Sequence, residues 1–304
     1  AGNLAYTENA GAVAIDPGLT VTDSDNTDLT GATVAITAGF VSAQDTLAFT
    51  NQLGITGNYN SGTGVLTLTG TTTVANYQTA LRTVTYANGS DDPTASRTIT
   101  FAANDGISSG TATRGIAITA VNDAPVNTVP GPQTATEDTP KVFSSGNGNQ
   151  ISVADVDLGP GEIKITLTAT NGTLTLSGIT GLSFTTGDGT ADATMVFTGS
   201  LSAVNTALNG MSFNPTSGFN GPASLQIISD DQGNTGTGGP LTDTDSVNIT
   251  VNAANDAPVV TTTAGNLAYT ENDAPTAIDP GLAVTDGDNT NLTGGTVAIT
   301  ANFV

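Results

Sequence analysis

Short runs in which apolar and small residues alternate recur along most of the chain. Examples are Val34-x-Ile36, Ile99-x-Phe101, Ile116-x-Ile118 and Ile163-x-Ile165-x-Leu167, with mostly Thr, Ser or Ala at the other positions. A period of two places one side of an extended strand in a core and the other in water. Thr is β-branched and polar, so it suits the wet side. With Gly-, Asn- and Asp-rich turns between the runs, the pattern predicts many short strands arranged as β-sandwiches.

Two segments depart from this alternation in the same way. Their apolar residues are spaced by three and then by four, as in Val74-x-x-Tyr77-x-x-x-Leu81 and Leu201-x-x-Val204-x-x-x-Leu208. This spacing puts three apolar side chains on one face of a helix. We therefore predict an all-β fold of tandem Greek-key sandwiches, each with one short helix that packs onto the core.

A long repeat organises the chain. Residues 264–304 match residues 1–41 at 32 of 41 positions, and Asn122-Asp123-Ala124-Pro125 recurs as Asn255-Asp256-Ala257-Pro258. These periods are too long for a solenoid and fit domains of about 130 residues in two alternating subtypes. We predict one unit at 1–125, a second at 126–258, and the start of a third at 259–304. Because so short a third stretch cannot bury its own core, the chain is expected to be part of a longer array.

The composition excludes most catalytic chemistry. Of 304 residues, none is Cys, His or Trp, and 27 acidic residues against 5 basic ones give a net charge of −22. Ser-His-Asp triads, Cys nucleophiles and His-based zinc sites are therefore impossible. Five scattered cations cannot neutralise a run of phosphates, so no nucleic-acid partner is expected. No stretch approaches the ~18–20 apolar residues of a transmembrane helix, so no transmembrane segment is expected.

The acidic residues recur in register and are the candidate chemistry of the chain. Each unit begins with a Glu and has an Asp-x-Asp after its first apolar run, and further acids lie late in the body and in the linker. Side chains at i and i+2 of an extended segment point the same way, so Asp-x-Asp presents two carboxylates together. Ca²⁺, with six to eight oxygen ligands, relieves their repulsion better than Mg²⁺. The predicted calcium ligands are Glu8, Asp23, Asp25, Asp105, Asn122, Asp123, Glu137, Asp155, Asp157, Asp230, Asp231, Asn255, Asp256, Glu271, Asp286 and Asp288.

The alternative is that these acids are turn residues on a solvated surface, since Asp-Gly, Asn-Asp and Asp-Pro are common in turns. That interpretation is preferred for scattered acids such as Asp45, Asp91, Asp92 and Asp192. It also covers Glu162, for which a surface ion pair with Lys164 is the simple explanation.

The linkers Val-Asn-Asp-Ala-Pro-Val (121–126) and Ala-Asn-Asp-Ala-Pro-Val (254–259) resemble those of cadherin-like repeats in very large bacterial surface proteins and adhesins. Thr-Glu-Asn, Val-Thr-Asp-x-Asp and Ala-Asn-Asp-Gly extend the resemblance over the whole chain. It implies sandwiches strung end to end with calcium at each junction. One implied junction joins Glu8, Asn122 and Asp123 to Asp155, Asp157 and Asp230 or Asp231. The other joins Glu137, Asn255 and Asp256 to Asp286 and Asp288.

The same resemblance implies that Asp23, Asp25 and Asp105 face a preceding unit, and that Glu271 faces a following one. One family feature, the Asp-Arg-Glu type motif low in each unit, is absent. Asp91 and Asp92 are candidate substitutes in the first unit, whereas the second has Phe213-Asn-Pro-Thr-Ser-Gly there. We therefore expect one or two calcium ions per junction rather than three.

These observations predict a structural, non-enzymatic segment of a long extracellular fibre or adhesin stalk at the bacterial cell surface. Its partners would be neighbouring repeats and further copies assembling into filaments, and a cell-surface or glycan target is a further candidate. The alternative function is a carbohydrate- or cell-surface-binding adhesion module. Sugar sites use aromatic platforms, and only 5% of residues are aromatic. An acid pair that recurs in every unit does not suit a single active site, so no enzyme is predicted.

Overall fold

A computed structural model of the protein describes residues 2–301. It divides into two compact units that do not follow the sequence repeat. The first runs up to Val126 and includes residues 153–164 and 229–243, whereas the second contains residues 127–152, 165–228 and the chain from Thr244 onward. The first unit therefore takes in two loop regions that lie far along the sequence.

Strands and two short helices make up the regular structure. In chain order they are β1 (Leu4–Thr7), β2 (Val13–Ala14), β3 (Asp28–Ala38), β4 (Asp45–Ala48), β5 (Thr56–Asn60), β6 (Val65–Thr73), α1 (Val74–Arg82), β7 (Thr85–Asn88), β8 (Ser96–Asn104), β9 (Ser109–Thr119), β10 (Val126–Thr128), β11 (Gln133–Thr136), β12 (Lys141–Phe143), β13 (Ser152–Ala154), β14 (Ile163–Thr170), β15 (Gly172–Thr175), β16 (Leu182–Thr186), β17 (Thr194–Gly199), α2 (Leu201–Leu208), β18 (Met211–Pro215), β19 (Gly221–Asp230), β20 (Thr242–Asn252), β21 (Val259–Thr261) and β22 (Ala283–Thr285). A single 3₁₀ turn at Ser145–Asn147 precedes β13.

The first unit contains a β-sandwich. A six-stranded sheet in the order β1-β9-β8-β3-β6-β5 faces a three-stranded sheet in the order β2-β7-β4. The strand β1 runs parallel to β9, and the other pairings of the two sheets are antiparallel. The core between them combines Val34, Leu68 and Ile116 of the larger sheet with Leu47 and Tyr86 of the smaller one.

The second repeat has the same topology. Its larger sheet has the order β11-β20-β19-β14-β17-β16, its smaller sheet has the order β12-β18-β15, and β11 is again parallel to β20. Each strand takes the position of its counterpart in the first sandwich. The segments 153–164 and 229–243, which belong to the first unit, contain the ends of β14, β19 and β20.

The two predicted helices are present. Helix α1 begins after Thr73, whose Oγ1 accepts a hydrogen bond from the N–H of Asn76, and α2 begins after Ser200 in the same way. Thr73 and Ser200 are therefore N-caps, and each side chain pairs with a backbone N–H of the first helical turn that would otherwise lack a partner. Tyr77 and Leu81 of α1 are buried, as are the matching residues of α2. The prediction of all-β tandem sandwiches with one short helix each is confirmed.

Beyond Pro258, the described chain forms much less regular structure. Up to residue 301 it has only the antiparallel pair β21 and β22, and its side chains are largely exposed. Within residues 2–301, neither helix has the length and apolar character required to cross a membrane.

Candidate metal centre

The site in the first unit begins with a carboxylate that holds the linker. Glu8 follows β1, which is fixed beside β9 by their parallel pairing. Its side chain is buried, and Oε2 accepts a hydrogen bond of 2.9 Å from the N–H of Val121, just after β9 ends. The position of Glu8 therefore follows from the sheet, and one of its oxygens is anchored by the backbone.

The Asp-x-Asp motif after β13 supplies two further carboxylates. Oδ1 of Asp155 accepts hydrogen bonds from the N–H groups of Asp157 and Leu158, at 3.2 and 2.9 Å. This closes a tight turn and leaves the other oxygen of Asp155 free of it. Asp157 is buried, and its backbone carbonyl accepts a hydrogen bond from the hydroxyl of Thr235. The turn thus holds both side chains of the motif in place.

The linker joins these two elements. The N–H of Asp123 donates to Oδ2 of Asp157 over 3.3 Å. Nδ2 of Asn122 donates to Oδ2 of Asp231 over 2.6 Å and to the carbonyl of Gly239 over 3.2 Å. Asn122 is held further by its own N–H, which donates to the carbonyl of Thr237. All these residues belong to the first unit, so the site lies within one compact body.

Asp91 completes the group. Ligand atoms of Glu8, Asp91 and Asp123 lie within 4.8 Å of one another. Asp91 is exposed, and its Oδ1 accepts a hydrogen bond of 3.0 Å from Nδ2 of Asn9. The site therefore contains five carboxylates, and within residues 2–301 no Lys or Arg forms an ion pair with any of them.

Four carboxylate oxygens in this site are buried without any hydrogen-bond partner. They are Glu8 Oε1, Asp123 Oδ2, Asp155 Oδ2 and Asp157 Oδ1. In Glu8, Asp155 and Asp157 the other oxygen accepts a backbone N–H. Buried polar atoms without partners are rare in proteins, and a bound water or ion is one of the arrangements that satisfies them. Hard oxygen donors, fixed by the backbone and left free on one side, fit Ca²⁺.

The electrostatics agree with this geometry. Burial raises the pKa of Glu8, and the charges of Asp123, Asp91 and Asp157 raise it further, although the bond from Val121 opposes them. Burial, followed by Asp91 and Asp157, raises the pKa of Asp123. Burial and the neighbouring side-chain carboxyl of Asp157 raise the pKa of Asp155 to about 6, although the backbone N–H groups of Asp157 and Leu158 oppose them. The environment thus disfavours the charged forms of Glu8, Asp123 and Asp155, and a nearby cation would favour them.

The structure distinguishes the two neighbouring acids at the end of β19. Asp231 is buried, and its Oδ1 accepts hydrogen bonds from the N–H groups of Gly233 and Leu241, at 2.7 and 2.8 Å. These two bonds fix the side chain of Asp231 within its own loop, and Oδ2 accepts the hydrogen bond from Nδ2 of Asn122 in the linker. Asp230 points away and pairs with Nζ of Lys164 at 2.7 Å. The surface ion pair expected between Glu162 and Lys164 is thus replaced by one with Asp230.

Three predicted ligands lie together at another place in the first unit. Oδ1 of Asp23 accepts hydrogen bonds from the N–H groups of Asp25 and Asn26, at 3.2 and 3.0 Å. Nδ2 of Asn26 donates to Oδ2 of Asp105 over 3.0 Å. The backbone N–H groups of Asn26 and Asp25 lower the pKa of Asp23, and the neighbouring side-chain carboxyl of Asp23 raises that of Asp25. These acids are close together but less buried than those around Glu8.

The second unit repeats the linker contacts. Glu137 is buried, and its Oε1 accepts a hydrogen bond of 2.6 Å from the N–H of Ala254. The N–H of Asp256 donates to Oδ2 of Asp288 over 3.2 Å, as Asp123 does to Asp157. Oδ1 of Asp286 accepts from the N–H of Asp288 over 3.3 Å. Within residues 2–301, however, no buried carboxylate oxygen here lacks a partner.

The remaining predicted ligands of the second unit complete the comparison. Oδ1 of Asn255 accepts a hydrogen bond of 3.1 Å from Nδ2 of Asn289. Glu271 is exposed in a turn, and no hydrogen bond joins it to another acid in the part of the chain that the structure describes. Asp91, treated above mainly as a scattered acid, is the member of the first site that was not among the predicted ligands. The only indication in the sequence was that Asp91 lies where the resemblance places an Asp-Arg-Glu type motif, which this chain lacks.

Comparisons with known proteins give partial likenesses. No protein-family model matches the chain. A stretch of 97 residues, 30% of the chain, is 45% identical to halomucin of Haloquadratum walsbyi and spans 1% of that protein. Human CDH23 EC21-23 matches 94% of this chain and 78% of its own at 14% identity, with a TM-score of 0.37. Mouse cadherin-23 EC22-24 matches 95% of this chain and 75% of its own at 15% identity, with a TM-score of 0.31.

Proposed function

We propose that the protein is a structural, non-enzymatic segment of a long, repetitive extracellular protein, stiffened by calcium where repeats join. The proposed repeats are residues 1–125, 126–258 and the start of a third at 259–304. The calcium ligands in the first unit are Glu8, Asp91, Asp123, Asp155 and Asp157, while Asn122 and Asp231 position the linker. Calcium binding at this place would lock the linker against both loops that it contacts.

The observation that supports this proposal most is the set of four buried, unpartnered carboxylate oxygens. A buried charged oxygen without a hydrogen-bond partner destabilises the fold more than a buried neutral group without one. Four such carboxylates close together also repel one another. A divalent cation offsets both costs at once. The recurrence of the linker contacts in the second unit supports a junction role rather than a single binding site.

The length of the halomucin relative supports the repetitive part of the proposal. Since 97 residues are 1% of that protein, it has many thousands of residues. A chain of units with the same strand order, joined by matching linkers, suits such a length. A net charge of −22 also suits a protein that remains soluble outside the cell.

Calcium titration of the intact chain tests the proposal. Isothermal titration calorimetry and thermal unfolding, with Ca²⁺ and then with EDTA, should show binding in the range of ~10⁻⁴–10⁻³ M that is typical of extracellular modules. Small-angle scattering on the same samples should show a longer maximum dimension with Ca²⁺.

The variant Asp157→Asn should lose most of the calcium response, and Asp92→Asn, at an exposed neighbour of Asp91, should keep it. Identical melting and scattering curves in Ca²⁺ and EDTA for the wild-type chain would exclude the proposed role.

A further inference from the structure

The start of the linker lies between two different partners within the first unit. On one side, the N–H of Val121 donates to Oε2 of Glu8. On the other side, the N–H of Asn122 donates to the carbonyl of Thr237 over 3.0 Å, and the N–H of Thr237 donates to the carbonyl of Ala120 over 2.8 Å. Val121 and Thr237 therefore form a parallel β-bridge. The backbone of the second repeat thus holds the linker of the first.

Side chains strengthen this bridge. The hydroxyl of Thr237 donates to the carbonyl of Ala120 over 3.0 Å. Nδ2 of Asn122 donates to Oδ2 of Asp231 over 2.6 Å and to the carbonyl of Gly239 over 3.2 Å. Asn122 and Asp231 are 6% and 2% exposed. Breaking their hydrogen bond would leave both groups unsatisfied in a buried place, so the contact is hard to open.

The contacts come from one connection, residues 231–241 between β19 and β20, which we call the clamp loop. Its counterpart between β8 and β9 in the first repeat consists of residues 105–108. Hairpin connections usually have about 2–5 residues, so the clamp loop is long. Its base is closed by the N–H of Asp231, which donates to the carbonyl of Leu241 over 3.2 Å. The loop is therefore built on its own repeat and extends from there to the linker.

The middle of the clamp loop is fixed as well. Nδ2 of Asn234 donates to the carbonyl of Glu162 over 2.8 Å, and the hydroxyl of Thr235 donates to the carbonyl of Asp157. These bonds hold the loop against the segment that follows β13. The loop therefore meets the linker as an ordered surface.

A glycine allows the loop to approach the linker closely. Gly236 has a φ of +77°, in the left-handed region that favours glycine. A Cβ atom at this position would lie 2.5 Å from the backbone nitrogen of Asn122 and 2.5 Å from the carbonyl carbon of Val121. Any side chain here would therefore push the loop and the linker apart.

We propose that the clamp loop holds the linker in place at residues 120–122 without calcium. Its bonds use backbone groups, the hydroxyl of Thr237 and the pair of Asn122 with Asp231. The four carboxylate oxygens assigned to calcium are different atoms on other residues. The clamp therefore fixes the start of the linker, and calcium would fix Asp123, which follows it. This inference concerns the junction of the proposed function but does not depend on calcium binding.

Amide hydrogen exchange of the intact chain in EDTA, followed by NMR spectroscopy, tests the clamp. The reporters are the N–H groups of Asn122 and Thr237, which form its two backbone bonds. Both should exchange slowly in the wild type. Gly236→Ala should speed the exchange of both by about tenfold or more, because the amides are exposed once the loop opens locally.

Two control variants separate the clamp from general effects of substitution. Gly54→Ala places a side chain at a φ of +78°, where a Cβ meets nothing within 4 Å, so it matches the backbone strain without the clash. Gly239→Ala changes the clamp loop itself at a position where a Cβ also meets nothing within 4 Å. Both variants should keep the slow exchange of the two reporter amides.

The amide of Ile165, a buried residue of β14, shows whether Gly236→Ala has folded. If it has not, Thr237→Val replaces it, since this variant removes the hydroxyl bond and should speed exchange of the Asn122 amide several-fold. Reporter amides that exchange as in an unfolded chain until Ca²⁺ is added, or that exchange equally in the clamp variants and the wild type, would overturn the inference. Slow exchange in EDTA with no effect of Ca²⁺ on melting would support the clamp and defeat only the calcium proposal.

Discussion

The N–H of Asp123 donates a hydrogen bond to Oδ2 of Asp157 over 3.3 Å, which draws two carboxylates together, and within residues 2–301 neither of them forms an ion pair with Lys or Arg. Oδ1 of Asp157 and Oδ2 of Asp123 are both buried and unpartnered. The backbone thus holds these two carboxylates close together although their negative charges repel each other. Asp256 and Asp288 repeat the bond over 3.2 Å, so the arrangement belongs to the linker and not to one local sequence.

Asp157→Asn should stabilise the metal-free protein and remove most of the stability that calcium adds. The amide removes one charge from the repelling group, so the metal-free variant should melt higher than the metal-free wild type. Wild type should gain about 1.4 kcal/mol at a calcium concentration ten times the dissociation constant, and the variant far less. Differential scanning calorimetry in EDTA and in Ca²⁺ measures both changes.

Asp92→Asn is the control for this substitution, since it removes the same charge from an exposed position that is next in sequence to Asp91. If both variants respond to calcium as the wild type does, Asp157 is not a ligand.

Acid should stabilise the metal-free protein. Burial and the neighbouring side-chain carboxyl of Asp157 raise the pKa of Asp155 to about 6, and burial raises those of Glu8 and Asp123. Because the folded state then binds more protons than the unfolded state between about pH 4 and 6, the free energy of unfolding rises as pH falls through this window. Melting temperatures in EDTA should therefore increase from pH 7 to pH 5.

In saturating calcium the melting temperature should instead fall from pH 7 to pH 5, because protons displace the ion from the carboxylates. Asp155→Asn should reduce both slopes. Acids with lowered pKa values, such as Asp45, lose their contribution only at lower pH and do not obscure this window. A metal-free melting temperature that falls steadily between pH 7 and pH 5 would contradict the prediction.

The group of acidic residues around Glu137 in the second unit should bind calcium more strongly when one acidic residue is added. Oε2 of Glu137 accepts a hydrogen bond of 3.4 Å from Nδ2 of Asn220, where the first site instead brings Asp91 close to Glu8. Asn220→Asp places a carboxylate beside Glu137. Calorimetric titration should show stronger calcium binding, together with lower stability in EDTA.

Asn214→Asp is the matched control, since Asn214 lies in β18 and its amide contacts Thr175 instead of Glu137. Equal gains in affinity from both variants would indicate general attraction of calcium to a more acidic protein rather than a built site.

Much of the fold was predictable because local patterns determine it. The period of two gave the strands and the three-four spacing gave both helices, since each is set by which side of an element meets the core. The separation of Asp230 from Asp231 was also within reach. Ile227 and Ser229 of β19 are buried, and continuing the alternation by two residues points Asp231 inward and Asp230 towards Lys164.

The positions of two acidic residues in the fold could not be predicted from local patterns. Asp91 joins Glu8 and Asp123 only through the fold, because nothing in its own segment is periodic. Asp45, also treated as a surface turn residue, is buried against Arg97, 52 residues away. That assignment was wrong because long-range pairs of single charged residues leave no local signature in one sequence.

The Asp45–Arg97 pair should be the most sensitive single contact in the first sandwich. Nε of Arg97 lies 2.7 Å from Oδ2 of Asp45, and both side chains have 0% exposure. Asp45 also accepts hydrogen bonds from Tyr86 and Asn88, each at 2.7 Å. Although burial opposes it, the bond to Arg97 contributes to a lowered pKa for Asp45. Asp45→Asn leaves a buried guanidinium unpaired, so urea unfolding should show a loss of about 3–5 kcal/mol.

Asp230→Asn provides the control, because the Lys164 side chain of that pair is 41% exposed. A partly exposed ion pair contributes about 0–1 kcal/mol, so this variant should unfold at nearly the wild-type urea concentration. Replacing both members of the buried pair, as in Asp45→Leu with Arg97→Met, should recover part of the loss, since no charge then remains unpaired. If Asp45→Asn costs no more than Asp230→Asn, the pair does not stabilise the sandwich as its burial indicates.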